Sequence, residues 1–480
     1  MISLISFLKL LSSPSLNKKS KFNNVSQILP IEYKSAFLVI NPPGMLSGLQ
    51  LYTLIILLIT LTLWATSALP EFQTSLLFFL SAILFEVATP TEIFSGFASG
   101  ALWLIFAGMV IGMAITNSGM SDRIAGYLGH HLERSYPWLI GGLMLTCTLL
   151  GFVMPSSIGR LVMMIPIGMA LADRCGFHTG SKGRTGVVMA VTFGCHLPTF
   201  SILPSNIPNM VMIGSAETIY GLHFSYTDYL LLHFPILGAI KAIIIALLII
   251  KLLPSEPNRA AAINDLHQDP SLRAKQRKLS IVLLTALAFW LTDSWHGINP
   301  AWVGLAAACF LLLPKVGMVD QTTFNKQINF SMLIFIAGVL GLGALVNSSG
   351  LGKLLAMTME HVLPLNPGAD AVNFISLTTM SFFTGMFSTL PGVPAVLTPI
   401  AADLANQTGM TVQAVIMTQV VGFSTILFPY QSGPLIVGMQ LAREPIMSLL
   451  RITIPLTLIT WAILIPLDYL WWQALSMFTQ

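Results

Sequence analysis

The chain has 480 residues, of which 9% are charged and 55% hydrophobic, and its formal net charge is +4 at pH 7. A soluble protein of this length needs about 25% charged residues to cover its surface. The composition therefore excludes a soluble enzyme, a disordered protein and a nucleic-acid-binding protein. The four cysteines form no CxxC pair, which argues against a disulfide framework or a zinc site. A mean hydropathy of +0.79 instead predicts an all-α polytopic membrane protein.

Eight apolar segments are predicted to cross the lipid bilayer, because a transmembrane helix takes about 20 mostly apolar residues. Several are short, so their boundaries are approximate. The predicted spans are 50–69, 72–88, 101–118, 229–253, 279–293, 301–314, 331–349 and 448–474.

Four further apolar stretches are broken near their middle by prolines and polar residues. Proline removes a backbone donor and disrupts the preceding helical turn. Inside a bilayer such breaks survive only where they are buried in protein or line a cavity. We therefore predict two re-entrant hairpins and two broken helices around an internal site. The hairpins are 136–173 and 371–405, and the broken helices are 186–213 and 413–440.

The two halves of the chain repeat one pattern. Asn117 recurs as Asn347, and Pro166 recurs as Pro399 at nearly the same shift. Chance similarity between helices rich in Gly and Leu is the alternative, but ordered matches that include Asn and Pro favour a duplication. The predicted domains are an N-terminal tail at 1–47, a first repeat at 48–253, a cytoplasmic linker at 254–278 and a second repeat at 279–480.

The distribution of Lys and Arg predicts the topology, because cytoplasmic loops carry an excess of both. If the two hairpins are re-entrant, each half crosses five times, so the halves are inverted. With the linker in the cytoplasm, most of the 23 basic residues then lie inside, and only Lys353 lies outside beyond the tail. The tail at 1–47 is the exception. We expect that the tail is disordered and does not follow this rule, that it adds an undetected membrane segment, or that translation starts at Met45.

Inverted repeats with re-entrant hairpins and broken helices are the design of secondary transporters. Residues 90–106, which read PTEIFSGFASGALWLIF, are similar to the opening of the divalent anion/sodium symporters, relatives of the citrate and arsenite permeases. The resemblance extends over about residues 50–475. It implies a homodimer in the bacterial inner membrane that carries a small anion by ion-coupled, elevator-type alternating access. The expected anion is a di- or tricarboxylate or sulfate, with no enzymatic activity and no cofactor beyond a possible sodium ion.

The resemblance also implies where the site lies. The family's hairpin tips carry Ser-Asn-Thr, and its broken helices unwind into polar loops. Here the tips read Ser-Ser-Ile at 156–158 and Thr-Leu-Pro at 389–391. Ile158 and Leu390 offer no side-chain oxygen, which weakens the case for sodium. The expected anion-binding residues are Ser156, Ser157, Arg160, Asn206, Asn209, Thr389, Gln431 and Ser432, and the expected coupling-ion residues are Ser156, Ser157, Thr389 and His196.

Arg160 lies just past the first hairpin tip, at membrane depth, where a charge is costly and usually functional. We predict that it pairs with the anion or stands in for a lost sodium. The structural alternatives are a salt bridge to Asp173, Glu86 or Asp403, or a side chain that extends to the membrane surface.

Two other ionisable residues lie within apolar segments. His196, in the first broken helix, has the chemistry to carry a coupling proton, and its structural alternative is a helix–helix contact. Lys241, in the middle of a predicted span, is long enough to extend its ammonium group to the surface.

Several rival functions stay open. A proton-coupled or uncoupled oxyanion permease of the arsenite type is one, and a cation/proton antiporter is another. An anion channel is the rival from a different class. A membrane enzyme has the least support, because the sequence shows no paired acids, His-rich cluster or nucleophile motif at one depth.

Overall fold

The protein is described by a computed structural model. The described residues are 48–66, 68–120, 132, 134–257, 270–314, 317–350, 363–387 and 390–478. Thr389 and the predicted tail at 1–47 lie outside them. The chain divides into two compact units, residues 1–51 and residues 52–480, and the second unit contains the site.

The longer helices of the first half are labelled α1 to α8. In α8 a π-helical segment, Phe234–Ile240, is inserted between two α-helical parts. The bounds are α1 Gly48–Thr66, α2 Glu71–Leu84, α3 Gly100–Asn117, α4 Tyr136–Leu150, α5 Ser157–Arg174, α6 Lys182–Gly194, α7 Ile207–Tyr220 and α8 Tyr226–Leu252.

The longer helices of the second half, α9 to α16, follow in the same order. Helix α13 is divided by a 3₁₀ turn at Thr398–Ile400, and α16 contains a π-helical segment at Thr460–Leu464. The bounds are α9 Pro270–Leu291, α10 Pro300–Leu312, α11 Phe330–Ser348, α12 Asp370–Phe387, α13 Gly392–Leu397 with Ala401–Thr408, α14 Val412–Phe423, α15 Gly433–Leu441 and α16 Ile446–Ala474.

Apolar composition and hydroxyl caps explain most of these helices. Helices α3, α8, α11 and α16 are long and apolar enough to cross a membrane. Serines at 99, 135, 156 and 181 cap α3, α4, α5 and α6, each accepting a hydrogen bond from a backbone N–H of the first turn. No strand occurs in the part of the chain that the structure describes. The prediction of an all-α polytopic membrane protein is confirmed.

All eight predicted spans are helical, and the four broken stretches are helices interrupted at their prolines. One boundary differs, because α9 already begins at Pro270, inside the predicted linker 254–278. Because residues 270–278 are polar, the sequence predicts a solvated linker there. They are also rich in Lys, Arg, Gln and Ala, which are strong helix formers.

The contacts between helices are reciprocal between the halves. Helix α3 packs against α10, and α11 packs against α2. Likewise α6 packs against α4 as α14 does against α12. The second arm of each hairpin packs on the last part of the other half's broken helix, α5 on α15 and α13 on α7. We call α2, α3 and α9 to α11 the scaffold helices, and α4 to α8 with α12 to α16 the hairpin core.

Candidate functional site

The first hairpin turns between α4 and α5. Pro155 lies in the turn, and the Oγ of Ser156 accepts a hydrogen bond from the backbone N–H of Gly159 at 3.1 Å. This N-cap fixes the start of α5. Ile158 follows in its first turn and is 39% exposed, so an apolar side chain lies at the hairpin tip.

The first broken helix unwinds between α6 and α7 into two 3₁₀ turns, Pro198–Ser201 and Leu203–Ser205. Asn209, in the first turn of α7, donates its amide N–H groups back to the carbonyls of Phe200, at 2.9 Å, and Ile202, at 3.1 Å. Asn209 therefore orders the unwound segment from within α7.

Arg160 is fully buried and binds backbone carbonyls on both sides of this break. Its Nε and one terminal nitrogen donate to the carbonyl of Cys195, at 3.0 and 2.8 Å, and the same terminal nitrogen donates to Ser205 O at 3.2 Å. The other terminal nitrogen donates to the carbonyl of Met154 in the hairpin turn. The guanidinium thus joins the hairpin tip to the broken helix through oxygen atoms of the chain.

None of the acids considered as salt-bridge partners pairs with Arg160 among the described residues. Asp173 forms its ion pair with Arg184 instead. The Arg160 side chain also does not extend to the surface, since it has no exposed area. Both structural alternatives for Arg160 are therefore wrong.

Hydroxyl and amide groups complete the surroundings of the guanidinium. Arg160 donates to the hydroxyls of Thr199, at 2.8 Å, and Ser157, at 3.1 Å. The Ser157 hydroxyl donates to the amide oxygen of Asn206, and the Asn206 amide nitrogen donates to Thr199 Oγ1 at 3.0 Å. Ser157, Arg160 and Asn206, all predicted site residues, therefore form one closed network.

His196 extends this network to the second half of the chain. Its Nδ1 lies 3.1 Å from Ser157 Oγ, and its Nε2 lies 2.8 Å from the Oγ of Ser432. Because Ser157 gives its proton to Asn206, it accepts from Nδ1–H, which leaves Nε2 to accept from Ser432. We therefore assign the neutral Nδ1–H tautomer, which satisfies all three groups.

The second broken helix unwinds between α14 and α15. The side-chain oxygen of Gln431 accepts from the backbone N–H groups of Leu427, at 2.9 Å, and Phe428, at 2.7 Å. Its nitrogen donates to the carbonyl of Gly385 in the second hairpin at 3.0 Å. Ser432 caps α15. Gln431 thus orders this break and ties it to the neighbouring hairpin.

Lys241 is 1% exposed and does not reach the surface. Its Nζ donates to the carbonyl of Ser424, at 2.7 Å, and contacts the Ser424 hydroxyl at 3.3 Å. Ser424 is the C-cap residue of α14. The carboxyl group of Asp468 in α16 is also fully buried.

The structure brings Ser157, Arg160, Asn206, His196 and Ser432 into one buried network. Ser156 borders it as a helix cap, whereas Asn209 and Gln431 order the two breaks. Three residues of the site, Thr199, Ser205 and Ser424, were not predicted from the sequence. The position of Thr199 and Ser205 among three closely spaced prolines is a local signal that points to the first break.

Two aromatic side chains flank the second break. The rings of Phe428 and Tyr430 stack with centroids 5.6 Å apart, and the Tyr430 hydroxyl donates to the carbonyl of Met386 at 3.0 Å. Tyr430 is 61% exposed, while the polar groups behind it are buried. No cluster of three or more His, Cys, Asp or Glu side chains suited to a metal occurs among the described residues.

Similar proteins come from several bacteria. The inner membrane protein YbhI of Escherichia coli K12 is 22% identical, with 80% of this chain and 82% of the relative aligned. The sodium-dependent dicarboxylate transporter SdcS of Staphylococcus saprophyticus is 21% identical, over 82% and 80% respectively. The L-tartrate/succinate antiporter of E. coli K12 is 23% identical, over 71% and 72%.

Two solved structures share the fold. The YdaH transporter of Alcanivorax borkumensis aligns with a TM-score of 0.52 at 14% identity, covering 90% of this chain and 99% of that one. The MtrF efflux pump of Neisseria gonorrhoeae aligns with a TM-score of 0.51, also at 14% identity, covering 92% and 97%.

The family described as the sodium:sulfate symporter transmembrane region matches residues 21–478, nearly the whole chain. With the apolar helices, this match makes the protein a multi-pass integral protein of the bacterial inner membrane. Two of these relatives, SdcS and the E. coli antiporter, are described as transporters of dicarboxylates. The chain belongs to the sodium:sulfate symporter family.

Proposed function

We propose that the protein is a secondary transporter of a small anion, with a dicarboxylate as the first candidate. One observation carries the proposal. Ser157, in the first turn of α5, and Ser432, the N-cap of α15, are joined through His196, so the N-terminal ends of helices from both halves meet in one network. Helix N-termini carry partial positive charge and favour anions.

The space beside this network supports an anion site at the same place. Asn206 lies at the N-cap position of α7, but its side chain forms no hydrogen bond with the first turn of that helix. A side chain at Gly433, the first residue of α15, would meet no atom within 4 Å. We propose that the anion binds between the starts of α5 and α15, beside Ser156, Ser157 and Ser432, where the helix N-termini carry partial positive charge.

The names of the relatives favour a carboxylate over sulfate. SdcS is described as a dicarboxylate transporter, and the E. coli relative as an L-tartrate/succinate antiporter. Both L-tartrate and succinate are four-carbon dicarboxylates. We therefore place succinate and tartrate first, other di- and tricarboxylates next, and sulfate after them.

Elevator-type alternating access is supported by an asymmetry between the halves. Helix α7 packs against scaffold helices α3 and α11, and α13 packs against α11. No comparable packing joins α15, the counterpart of α7, to α3 or α11 within the described residues. Since the halves repeat one design, we propose that α15 and α5 take over these scaffold contacts in the other state, within a homodimer.

The names of the relatives permit two driving forces. One relative is described as sodium-dependent, and others are described as antiporters. A coupling proton on His196 has less support, because the neutral imidazole already satisfies Ser157 and Ser432. No contact among the described residues favours an anion channel, because hydrogen bonds connect the side chains of the candidate network.

A thermal-shift screen of the purified protein tests the substrate proposal. Succinate, L-tartrate, citrate and sulfate are compared with chloride, in sodium and in potassium buffers. A ligand at about 100 times its Kd stabilises the folded state by about 2.7 kcal/mol, which raises the melting temperature by several degrees. We expect a dicarboxylate to do so. A melting temperature unchanged by all four anions contradicts the proposal.

A further inference from the structure

Two buried cations occupy equivalent places in the two halves. Arg160 donates a hydrogen bond to the carbonyl of Cys195, the C-cap residue of α6. Lys241 donates a hydrogen bond to the carbonyl of Ser424, the C-cap residue of α14. Cys195 and Ser424 are 229 residues apart, close to the shift between the repeated Asn117 and Asn347. Each broken helix therefore has a cation of the protein itself at the same point.

This point has a distinct electrostatic character. The last carbonyls of a helix lack partners within the helix and carry the negative end of its dipole. In transporters with broken helices, such carbonyls and the unwound backbone after them coordinate the coupling cation. The oxygens that a sodium ion would need are thus the carbonyls that the two side chains bind here.

The first of these places is filled by a permanent charge. The guanidinium of Arg160 contacts carbonyls from the hairpin turn, the end of α6 and the far side of the break, together with two hydroxyls. Arginine stays protonated in proteins. A sodium ion would have to share these oxygens with a positive charge, and Ile158 supplies no replacement oxygen. The residues at the first tip do not fit sodium.

The second place is filled from another helix. Lys241 follows the π-helical segment of α8, in the first half, and reaches the end of α14, in the second half. A buried ammonium group needs compensation, and it receives it from the carbonyl and hydroxyl oxygens of Ser424. The ammonium therefore occupies the position of a cation bound to the second break.

We propose that Arg160 and Lys241 are built-in cations that replace the coupling sodium ions, so that this protein carries its anion without sodium. The inference rests on the proposed anion transport and concerns only what accompanies the anion. Because side chains cannot leave with the substrate, a sodium gradient supplies no driving force. The gradient of the anion, or exchange for a second anion, supplies it instead.

Uptake into proteoliposomes tests the inference on the unaltered protein. Labelled succinate, or the anion found by thermal shift, is supplied in sodium, potassium or choline buffer of equal ionic strength. We expect initial rates within about twofold of one another, because an energy difference well below 1.4 kcal/mol gives less than a tenfold change. A rate in sodium about tenfold or more above the other two overturns the inference while leaving the proposed function intact.

An absence of anion uptake and a dependence on sodium are distinguished by different measurements. If no anion is taken up in any of the three buffers, the proposed function fails. The inference is then decided by melting curves in sodium and in potassium, which need no substrate. Equal melting temperatures support the built-in cations. A saturable rise specific to sodium overturns them.

Substitution of Lys241 gives an independent test. Lys241→Met removes the charge from the buried site, and Lys251→Met makes the same change at an exposed position of the same helix. We expect uptake to fall about tenfold or more in Lys241→Met and to stay within about twofold in Lys251→Met. A folded Lys241→Met protein, judged by gel filtration, that transports at the wild-type rate overturns the inference. If it does not fold, the comparison of cations on the wild type decides.

Discussion

The contacts of a single side chain, Arg160, connect the hairpin tip with the first broken helix. A buried charge survives in a membrane protein only when oxygens or opposite charges surround it. Here backbone carbonyls from three segments and two hydroxyls do so, and Asp173 pairs with Arg184 instead. The planar guanidinium matches this arrangement because its donors point in several fixed directions.

Replacing Arg160 therefore tests both stability and transport. Arg160→Gln leaves carbonyls of the hairpin turn and the break without donors, at a cost of roughly 1–3 kcal/mol for each unpaired group. Arg160→Lys keeps the charge, but an ammonium group cannot reach all three carbonyls. We expect lower melting temperatures for both variants and loss of uptake. Wild-type melting and uptake in Arg160→Gln would contradict this role.

His196 is predicted to act as a neutral hydrogen-bonding group. His196→Ala removes one donor to Ser157 and the acceptor of the buried Ser432 hydroxyl, which costs roughly 1–3 kcal/mol. His196→Gln keeps a donor and an acceptor, so its uptake should follow pH with the same profile as the wild type. The measurement is initial uptake between pH 5 and 8, across the range where histidine titrates. A wild-type pH dependence that disappears in His196→Gln would identify a proton carrier instead.

Local sequence predicted part of this network. Ser157, Asn206 and Ser432 lie at breaks marked by prolines, and Arg160 was conspicuous as a charge at membrane depth. The partnership of Lys241 with Ser424 could not be predicted, because 183 residues separate them and neither lies in a periodic pattern. Thr389, predicted for the second tip, lies outside the described residues, and its role stays a prediction.

At the scale of helices, glycine determines how closely the broken helices approach the hairpins. Gly422 in α14 faces Ser381 and Thr378 in α12, and a Cβ atom there would lie 2.4 Å from the Ser381 Cβ and 2.6 Å from the Thr378 carbonyl oxygen. Such distances are too short for any side chain. The hairpin and the broken helix therefore pack backbone to backbone.

This close approach predicts a position-dependent effect of one methyl group. Gly422→Ala should destabilise the protein by roughly 1–3 kcal/mol, because overpacking forces α12 and α14 apart. Gly112→Ala, in α3, is the matched control, since a Cβ atom at Gly112 meets nothing within 4 Å. Alanine also favours a helix over glycine by up to about 1 kcal/mol. Melting curves of the two variants check this, and equal melting temperatures would contradict it.

Helices and breaks were predictable from the sequence because length, apolarity and proline act locally. The start of α9 was not, because polar helix formers look the same in a linker and in a helix. The π-helical segments of α8 and α16 were also unpredicted. Pro235 lies inside the first segment, and Pro455 lies five residues before the second. The prolines therefore indicate where helical hydrogen bonds are disrupted, but they do not predict that a π-helix forms there.

At the scale of the whole molecule, the two halves share a design and several reciprocal helix contacts, but they differ in their contacts with the scaffold helices. The reciprocal packing of α3 with α10 and α11 with α2 forms the scaffold, and α7 rests against it from one side. The repeat was predicted from a few aligned Asn and Pro residues. The inversion of the halves and the cytoplasmic placement of the linker stay predictions, because they rest on charge distribution alone.

A reversible cross-link tests whether α7 must leave the scaffold. A Cβ atom at Gly343 in α11 would lie 3.7 Å from Ser215 Oγ in α7, which is close enough for a disulfide after a small adjustment. We expect the double variant Ser215→Cys with Gly343→Cys to lose uptake on oxidation and to regain it on reduction. The two single variants control for the native cysteines. Full uptake by the cross-linked protein would contradict a movement of α7 away from α11 during transport.

Counterflow of succinate tests the central claim most directly, because a carrier exchanges anions and a channel does not. Proteoliposomes loaded with unlabelled succinate, or left without it, receive labelled succinate outside. We expect internal succinate to raise the initial rate by about tenfold, and we expect the rate to saturate with external concentration. An initial rate that is unaffected by internal anion and rises linearly with concentration would contradict a carrier.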